Sequence, residues 1–243
     1  MTLKAENIRK SFGPRTILDG VSASIEQGQI VALLGPSGSG KTTLLRALAL
    51  LEHPDAGRIS YNDQTWDFPW PKGKKLIAPY PKLTVVFQEL FLWPHLTLRE
   101  NILLPSRGIW NNETEAVLER VIAALDLGTF INNYPNEASL GQRQRVALAR
   151  AVMLKPDFLL LDEITSALDV EQVHNILTFL PQMKKRGICM LLITHHINFA
   201  RRAADKILFL ADGKIAESGP PDILDSPKSE RMGRFLSMIH ETH

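Results

Sequence analysis

The sequence predicts an α/β fold, with a mostly parallel sheet, an antiparallel β subdomain at the N-terminus and an inserted α-helical subdomain. Three observations predict it. Unbroken apolar runs at 30–34, 158–161 and 190–193 read as strands buried on both faces of a parallel sheet. Segments 3–12 and 16–26 alternate polar and apolar residues about Gly13-Pro14, the pattern of antiparallel strands with one covered face. Between 97 and 154 the apolar period becomes helical.

Taken in order, Gln27-Gly28 turns the chain into the apolar run 30–34. Gly35, Pro36, Ser37, Gly38, Ser39, Gly40, Lys41 and Thr42 follow it, spelling G-x-x-x-x-G-K-[ST] ahead of the helix-like stretch 43–48. Such a loop holds nucleotide phosphates. Glycine lets backbone N–H groups approach and wrap a polyphosphate, and the helix behind the loop adds its positive dipole end. Lys41 supplies a point charge for the β and γ phosphates, and the Thr42 hydroxyl is placed to ligate Mg²⁺.

Residues 62–82 contain Pro69, Pro71, Pro79 and Pro81 with Trp66 and Trp70, too proline-rich for a regular element, and read as a surface excursion. The strand-like stretch 83–87 ends at Gln88, whose neutral amide suits a metal or an attacking water. Asn112 and Glu115 have the spacing of a cap for the helix bearing Val117, Leu118, Val121, Ile122 and Leu125. Ser139 and Gln142 form a second S-x-x-Q capping box before a basic and apolar run. A capped helix start with free amides is also an anion site.

The buried run 158–161 leads into Asp162-Glu163, two carboxylates at the C-terminal end of a strand, where open α/β sheets bind ligands. Adjacent acids alone describe many solvated turns. With the phosphate loop upstream, Asp162 suits Mg²⁺ and Glu163 suits orientation or deprotonation of a water for in-line attack. A crossover helix fits 170–183, and Thr194-His195-His196 follows the next buried strand, so His195 can emerge beside Glu163. Residues 206–210 and 214–218 about Asp212-Gly213 read as a closing hairpin.

Composition bounds the function. The chain has 243 residues, ample for one or two domains, and 28 Lys plus Arg against 26 Asp plus Glu. A net charge of +2 gives no electrostatic case for binding nucleic acid. Cys189 is the single cysteine, so no internal disulfide can form, and it reads as core filler in a reducing compartment. No apolar run approaches the roughly 20 residues needed to span a bilayer. The N-terminus lacks the pattern of a secretory leader, so a cytoplasmic location is expected.

These ordered motifs together resemble the nucleotide-binding subunit of ATP-binding cassette (ABC) transporters along nearly the whole chain. The resemblance implies a P-loop NTPase (RecA-like) core over 1–88 and 155–220, a helical subdomain over 89–154 and a C-terminal tail over 221–243, in a single ABC ATPase domain. It places the Walker A motif on Gly35 to Thr43, the Q-loop on Gln88 and the signature on Ala138 to Gln142, with Ser139, Gly141 and Gln142 as nucleotide contacts. Walker B falls on Phe158 to Glu163, the D-loop on Ser166 to Asp169, and the switch histidine on His195. Phe12 matches the aromatic that stacks on adenine.

The resemblance further implies a head-to-tail homodimer in which ATP with Mg²⁺ on one subunit's loop is covered by the other's signature helix. Gln88 and the apolar stretch 90–96 would face transmembrane permease subunits on the inner face of the cell membrane. Finer likeness, in Phe87-Gln88 with 93–97 and in 230–237, points to importers of polar amino acids, which act indirectly with an extracytoplasmic solute-binding protein. Leu140 departs from the signature's usual first glycine. It would be strained at positive φ and unstrained in a helix. A soluble cassette ATPase without transport, or a cassette that binds ATP without splitting it, are the competing readings. Neither a second cassette nor a strongly basic face favours the first, and Lys41, Asp162, Glu163, Gln88 and His195 argue against the second.

Overall fold

The structure, a computed structural model, describes residues 1–109 and 114–241. The chain opens with β1 (Thr2–Phe12) and β2 (Arg15–Glu26), an antiparallel hairpin. Then come β3 (Ile30–Leu34), α1 (Lys41–Leu48), β4 (Ala56–Tyr61), β5 (Gln64–Phe68) and β6 (Leu83–Val86). The helical stretch holds α2 (Leu98–Leu103), a 3-10 turn at Leu104–Ile109, α3 (Thr114–Ala124) and α4 (Leu140–Val152). The chain closes with β7 (Phe158–Asp162), α5 (Val170–Lys185), β8 (Cys189–Ile193), α6 (Ile197–Ala203), β9 (Lys206–Ala211), β10 (Lys214–Gly219) and α7 (Glu230–Glu241).

Two sheets result. One is four-stranded and antiparallel in the order β2-β1-β4-β5, and the other six-stranded in the order β10-β9-β3-β8-β7-β6, parallel except for its edge hairpin β9–β10. The apolar runs are buried on both faces because the period-2 alternation sends successive side chains to opposite sides of the sheet, each covered by a core. Val31, Leu33, Leu160 and Leu191 pack toward α1 and the antiparallel sheet. Leu159, Leu161, Met190 and Leu192 pack toward α4 and α5, while Ala32, Leu34, Ile207 and Phe209 meet α6 and α7. Cys189 is fully buried among apolar neighbours.

One expectation is corrected. Residues 62–82 contain a regular element, because β5 pairs antiparallel with β4 and turns Trp66 and Phe68 into the core. The prolines begin only at residue 69, so the preceding five residues keep their N–H groups for the ladder. Asn112, expected to cap α3, lies outside the described residues. Glu115 is in the first turn of α3 and pairs with Arg99 of α2.

Candidate functional site

The carboxyl ends of the parallel strands gather the candidate residues. The phosphate loop follows β3, Asp162 ends β7, and His195 comes two residues after β8. Asp162 lies opposite Ile193 in the ladder, so Glu163 and Thr194 leave the sheet side by side, and the Glu163 N–H donates to the Ile193 carbonyl at 2.9 Å. Glu163 adopts φ 51°, a left-handed conformation that costs a non-glycine residue about 1–2 kcal/mol. Such local strain concentrates at functional positions.

The loop is shaped by close approach. Gly35 has φ 150°, and a Cβ there would lie 2.0 Å from the Leu210 carbonyl oxygen of β9, a contact only glycine permits. Gly40 caps α1, and the Lys41 ammonium donates to the carbonyls of Gly35 and Pro36, each at 2.8 Å. Burial lowers the Lys41 pKa, opposed by the charges of Glu163 and Asp162. Ser39 is buried, and its hydroxyl has no partner among the described residues.

Three adjoining cavities share these residues. A groove of about 420 Å³ is lined by Phe12, Ser37, Gly38, Gly40, Thr43 and Glu163, with Lys41 and Thr42 in its floor. Phe12 is 51% exposed, with the Lys10 ammonium 5.1 Å from its ring centroid. A second cavity, of about 490 Å³, joins Gly35, Ser37, Lys41, Glu163 and His195. There His195 Nδ1 lies 3.6 Å from Glu163 Oε1. A third, of about 330 Å³, joins Thr42, Arg46, Gln88 and Asp162.

The Thr42 hydroxyl donates to Asp162 Oδ2 at 3.0 Å. Asp162 is only 4% exposed, and burial raises its pKa against the lowering effect of that hydrogen bond. Mg²⁺ takes oxygen ligands and completes its shell with water and substrate phosphate. A hydroxyl, a carboxylate and an amide around one cavity fit that ion. Among the described residues, no cluster of three or more His, Cys, Asp or Glu side chains offers an alternative cage.

Ser139, Gly141 and Gln142 stand apart from these cavities. Ser139 caps α4, its hydroxyl accepting from the Gln142 N–H while its own N–H donates to Gln142 Oε1 at 2.8 Å. Leu140 is the first helical residue of α4 and 47% exposed, so its departure from glycine carries no positive-φ strain. Gly141 abuts the segment after β7, since a Cβ there would fall 2.9 Å from the Ala167 carbonyl oxygen. Gln144 Nε2 donates to Ser166 Oγ at 3.1 Å, a second tie between α4 and that segment.

Sequence reading overlooked two sets of residues. Ile17 of β2 lines the groove beside Phe12, and Phe235 and Ile239 of α7 line the cavity of His195. Their only signal in the sequence is strand alternation and an amphipathic tail, which many core residues share. Arg150 of α4 was also unmarked. Its guanidinium donates to the carbonyls of Leu90 at 2.6 Å and Phe91 at 2.8 Å, tying the segment after Gln88 to the helix that Ser139 caps. Buried Asn101 holds the next turn, its amide reaching the carbonyls of Trp93, Leu96 and Thr97.

A family model described as ABC transporter matches residues 18–166. The chain is 41% identical over 241 residues to the arginine transport ATP-binding protein ArtM of Bacillus subtilis (strain 168), covering 98% of this chain and 99% of that one. It is 38% identical over 246 residues to the glutamine transport ATP-binding protein GlnQ of Escherichia coli (strain K12), covering 98% and 99%. Among solved structures it is similar to a dimeric post-hydrolysis state of the ATP-binding cassette MJ0796 bound to ADP and Pi. That likeness has a TM-score of 0.76 and 30% identity, over 90% of this chain and 98% of that one.

Proposed function

This chain belongs to the ABC transporter family, and from that premise we propose that it is the ATP-hydrolysing subunit of an importer for polar amino acids, working as a head-to-tail homodimer. The observation that carries the reading is the convergence of Lys41, Thr42, Asp162, Glu163 and His195 on three neighbouring cavities at one sheet edge, with Asp162 joined to Thr42 by a hydrogen bond. Relatives of this length and identity that transport arginine and glutamine support the substrate class.

In this reading ATP lies along the groove, its base against Phe12 and its phosphates in the loop from Gly35 to Thr43. The Lys41 ammonium leaves the carbonyls of Gly35 and Pro36 for the β and γ phosphates. Thr42, Asp162 and Gln88 would hold Mg²⁺, which when bound neutralises phosphate charge. Glu163 accepts a proton from the attacking water as the new bond to the γ-phosphorus forms and the bond to the ADP oxygen breaks. His195, within reach of Glu163, orients that carboxylate and the γ-phosphate. Ser139, Gly141 and Gln142 line none of these cavities, which supports supply of their helix start by a second copy.

We assign the permease surface to the part of α4 that bears Ala147, Arg150 and Ala151. A cavity of about 400 Å³ there is lined by Leu51, Ala78, Tyr80, Trp93, Leu104 and Arg150, and Ile77, Tyr80, Phe91 and Trp93 around it are exposed. Residues 62–82, without an evident role in the sequence, thus contribute Ala78 and Tyr80 to one wall. No described helix is long and apolar enough to cross a membrane, so such a role needs separate transmembrane subunits. We place the chain in the cytoplasm, peripheral on the inner membrane face, with an extracytoplasmic solute-binding protein as an indirect partner.

The test is Glu163→Gln in the full chain. It is expected to bind ATP, accumulate as a nucleotide-dependent dimer in size-exclusion chromatography, and lose about 10²-fold in phosphate release. Undiminished turnover would remove Glu163 from its assigned role. Co-purification with a multi-span membrane protein tests the transport assignment.

A further inference from the structure

We propose that Arg15 is a second phosphate-binding cation of the nucleotide groove, spanning the distance from the Phe12 ring to the turn at Gly38. The proposal rests on the ATP reading above and adds a ligand contact to it.

Three observations carry it. Phe12 and Arg15 lie directly opposite each other in the β1–β2 hairpin, and directly opposed residues project their side chains on one face. The Arg15 side chain therefore starts beside the ring assigned to the base. Its far end reaches the loop, since Arg15 Nη2 lies 3.7 Å from where a Cβ on Gly38 would stand. Arg15 also lines the groove that holds Lys41, Thr42 and Thr43.

The charge is uncommitted. Lys10, the other cation beside Phe12, is bound to Glu52 at 2.8 Å and to the His53 carbonyl at 2.7 Å. Asp212 shares a smaller cavity with Arg15, Ser37 and Arg231, but both its oxygens accept from Arg231, at 2.7 and 2.8 Å. Arg15 itself forms no ion pair among the described residues. A planar five-donor fork with no carboxylate partner, at the phosphate loop in a groove that Phe12 also lines, suits the phosphates nearest the sugar. Lys41, at the other end of the loop, serves the terminal ones.

The experiment is calorimetric titration of the full chain and of Arg15→Ala, Arg15→Gln and Arg15→Lys with ADP and with adenosine, at about 50 mM and 500 mM salt. Arg15→Ala and Arg15→Gln are expected to weaken ADP binding about fivefold to twentyfold at low salt, with the deficit shrinking at high salt. Arg15→Lys should keep most of the affinity, and adenosine binding should be unchanged in all four. An ADP Kd within twofold of wild type in both neutral variants overturns the proposal, as does an equal loss for adenosine, which would assign Arg15 to the base or sugar. If the unaltered chain binds neither ADP nor ATP, the nucleotide reading itself fails, so the two failures are distinct. Arg15→Gln keeps length and hydrogen bonding at an exposed strand end, so a folded neutral variant is available even if Arg15→Ala does not fold.

Discussion

Replacing Gly35 by alanine tests the shape of the phosphate loop directly. The added methyl would lie 2.0 Å from the Leu210 carbonyl oxygen and 3.1 Å from Ser39 Oγ. Ordinary carbon–oxygen contacts begin at about 3.3 Å, so strand β9 and the loop must part by roughly 1 Å or more. Neither side is a flexible side-chain tip, since Leu210 sits within β9, hydrogen-bonded beside β3. Overpacking of this kind costs about 1–3 kcal/mol, and the positive φ adds about 1 kcal/mol, giving about 3 kcal/mol in total. For a domain of this size, 1 kcal/mol moves Tm by about 2–4 °C, so Gly35→Ala should lower Tm by about 6–12 °C. Gly28→Ala is the control, because Gly28 has φ 63° but nothing within 4 Å of its would-be Cβ. It carries the φ cost alone, about 2–4 °C. Thermal unfolding by circular dichroism on both variants reads the difference. Equal Tm losses would refute the close-approach argument, and a Gly35→Ala protein of wild-type Tm would refute the loop geometry.

Other outcomes follow from the same structure. Leu140→Gly should leave ATPase activity within about threefold of wild type, because residue 140 is already helical, and Gly should cost about 1 kcal/mol of stability. A tenfold rise in phosphate release would show that leucine impairs the signature. Arg150→Ala strands the carbonyls of Leu90 and Phe91 and should lower turnover about tenfold, with Arg150→Lys partly restoring it; steady-state kinetics with unchanged rates would remove the clasp. Burial holds the Asp162 carboxyl above its usual range, so the folded protein binds that proton more readily than the unfolded chain does. Its contribution to stability is therefore lost as pH rises from the unfolded carboxylate value, about 3.9, through the raised folded one. Relative to wild type, Asp162→Asn should gain stability as pH rises from 4 to 7 in denaturant titrations, and parallel curves would contradict this.

Much of the architecture was legible because burial on two faces leaves an unbroken apolar run, and 158–161 and 190–193 carry little else. The phosphate loop was legible because its residue types are chemically forced and contiguous. β5 was not, since four prolines downstream masked the alternation of Trp66 and Phe68. The groups that fasten the site were hidden for a different reason. Gln144 and Arg150 act on partners far away in the chain, and a lone basic or amide residue has no spacing to betray it. Nor does a glutamate advertise positive φ; Glu163 adopts it while its N–H stays bonded to the Ile193 carbonyl of β8, a partner 30 residues on.

Lys41, fastened to the carbonyls of Gly35 and Pro36, acts as an internal stand-in for the ligand it would serve. The cradle thereby keeps its curvature without outside help, and an incoming anion trades one set of bonds for another instead of ordering a floppy segment. Selectivity then depends on how far the newcomer outbids two neutral oxygens for a single ammonium. Dianionic terminal groups win that contest easily, and uncharged metabolites, abundant in any cell, lose it.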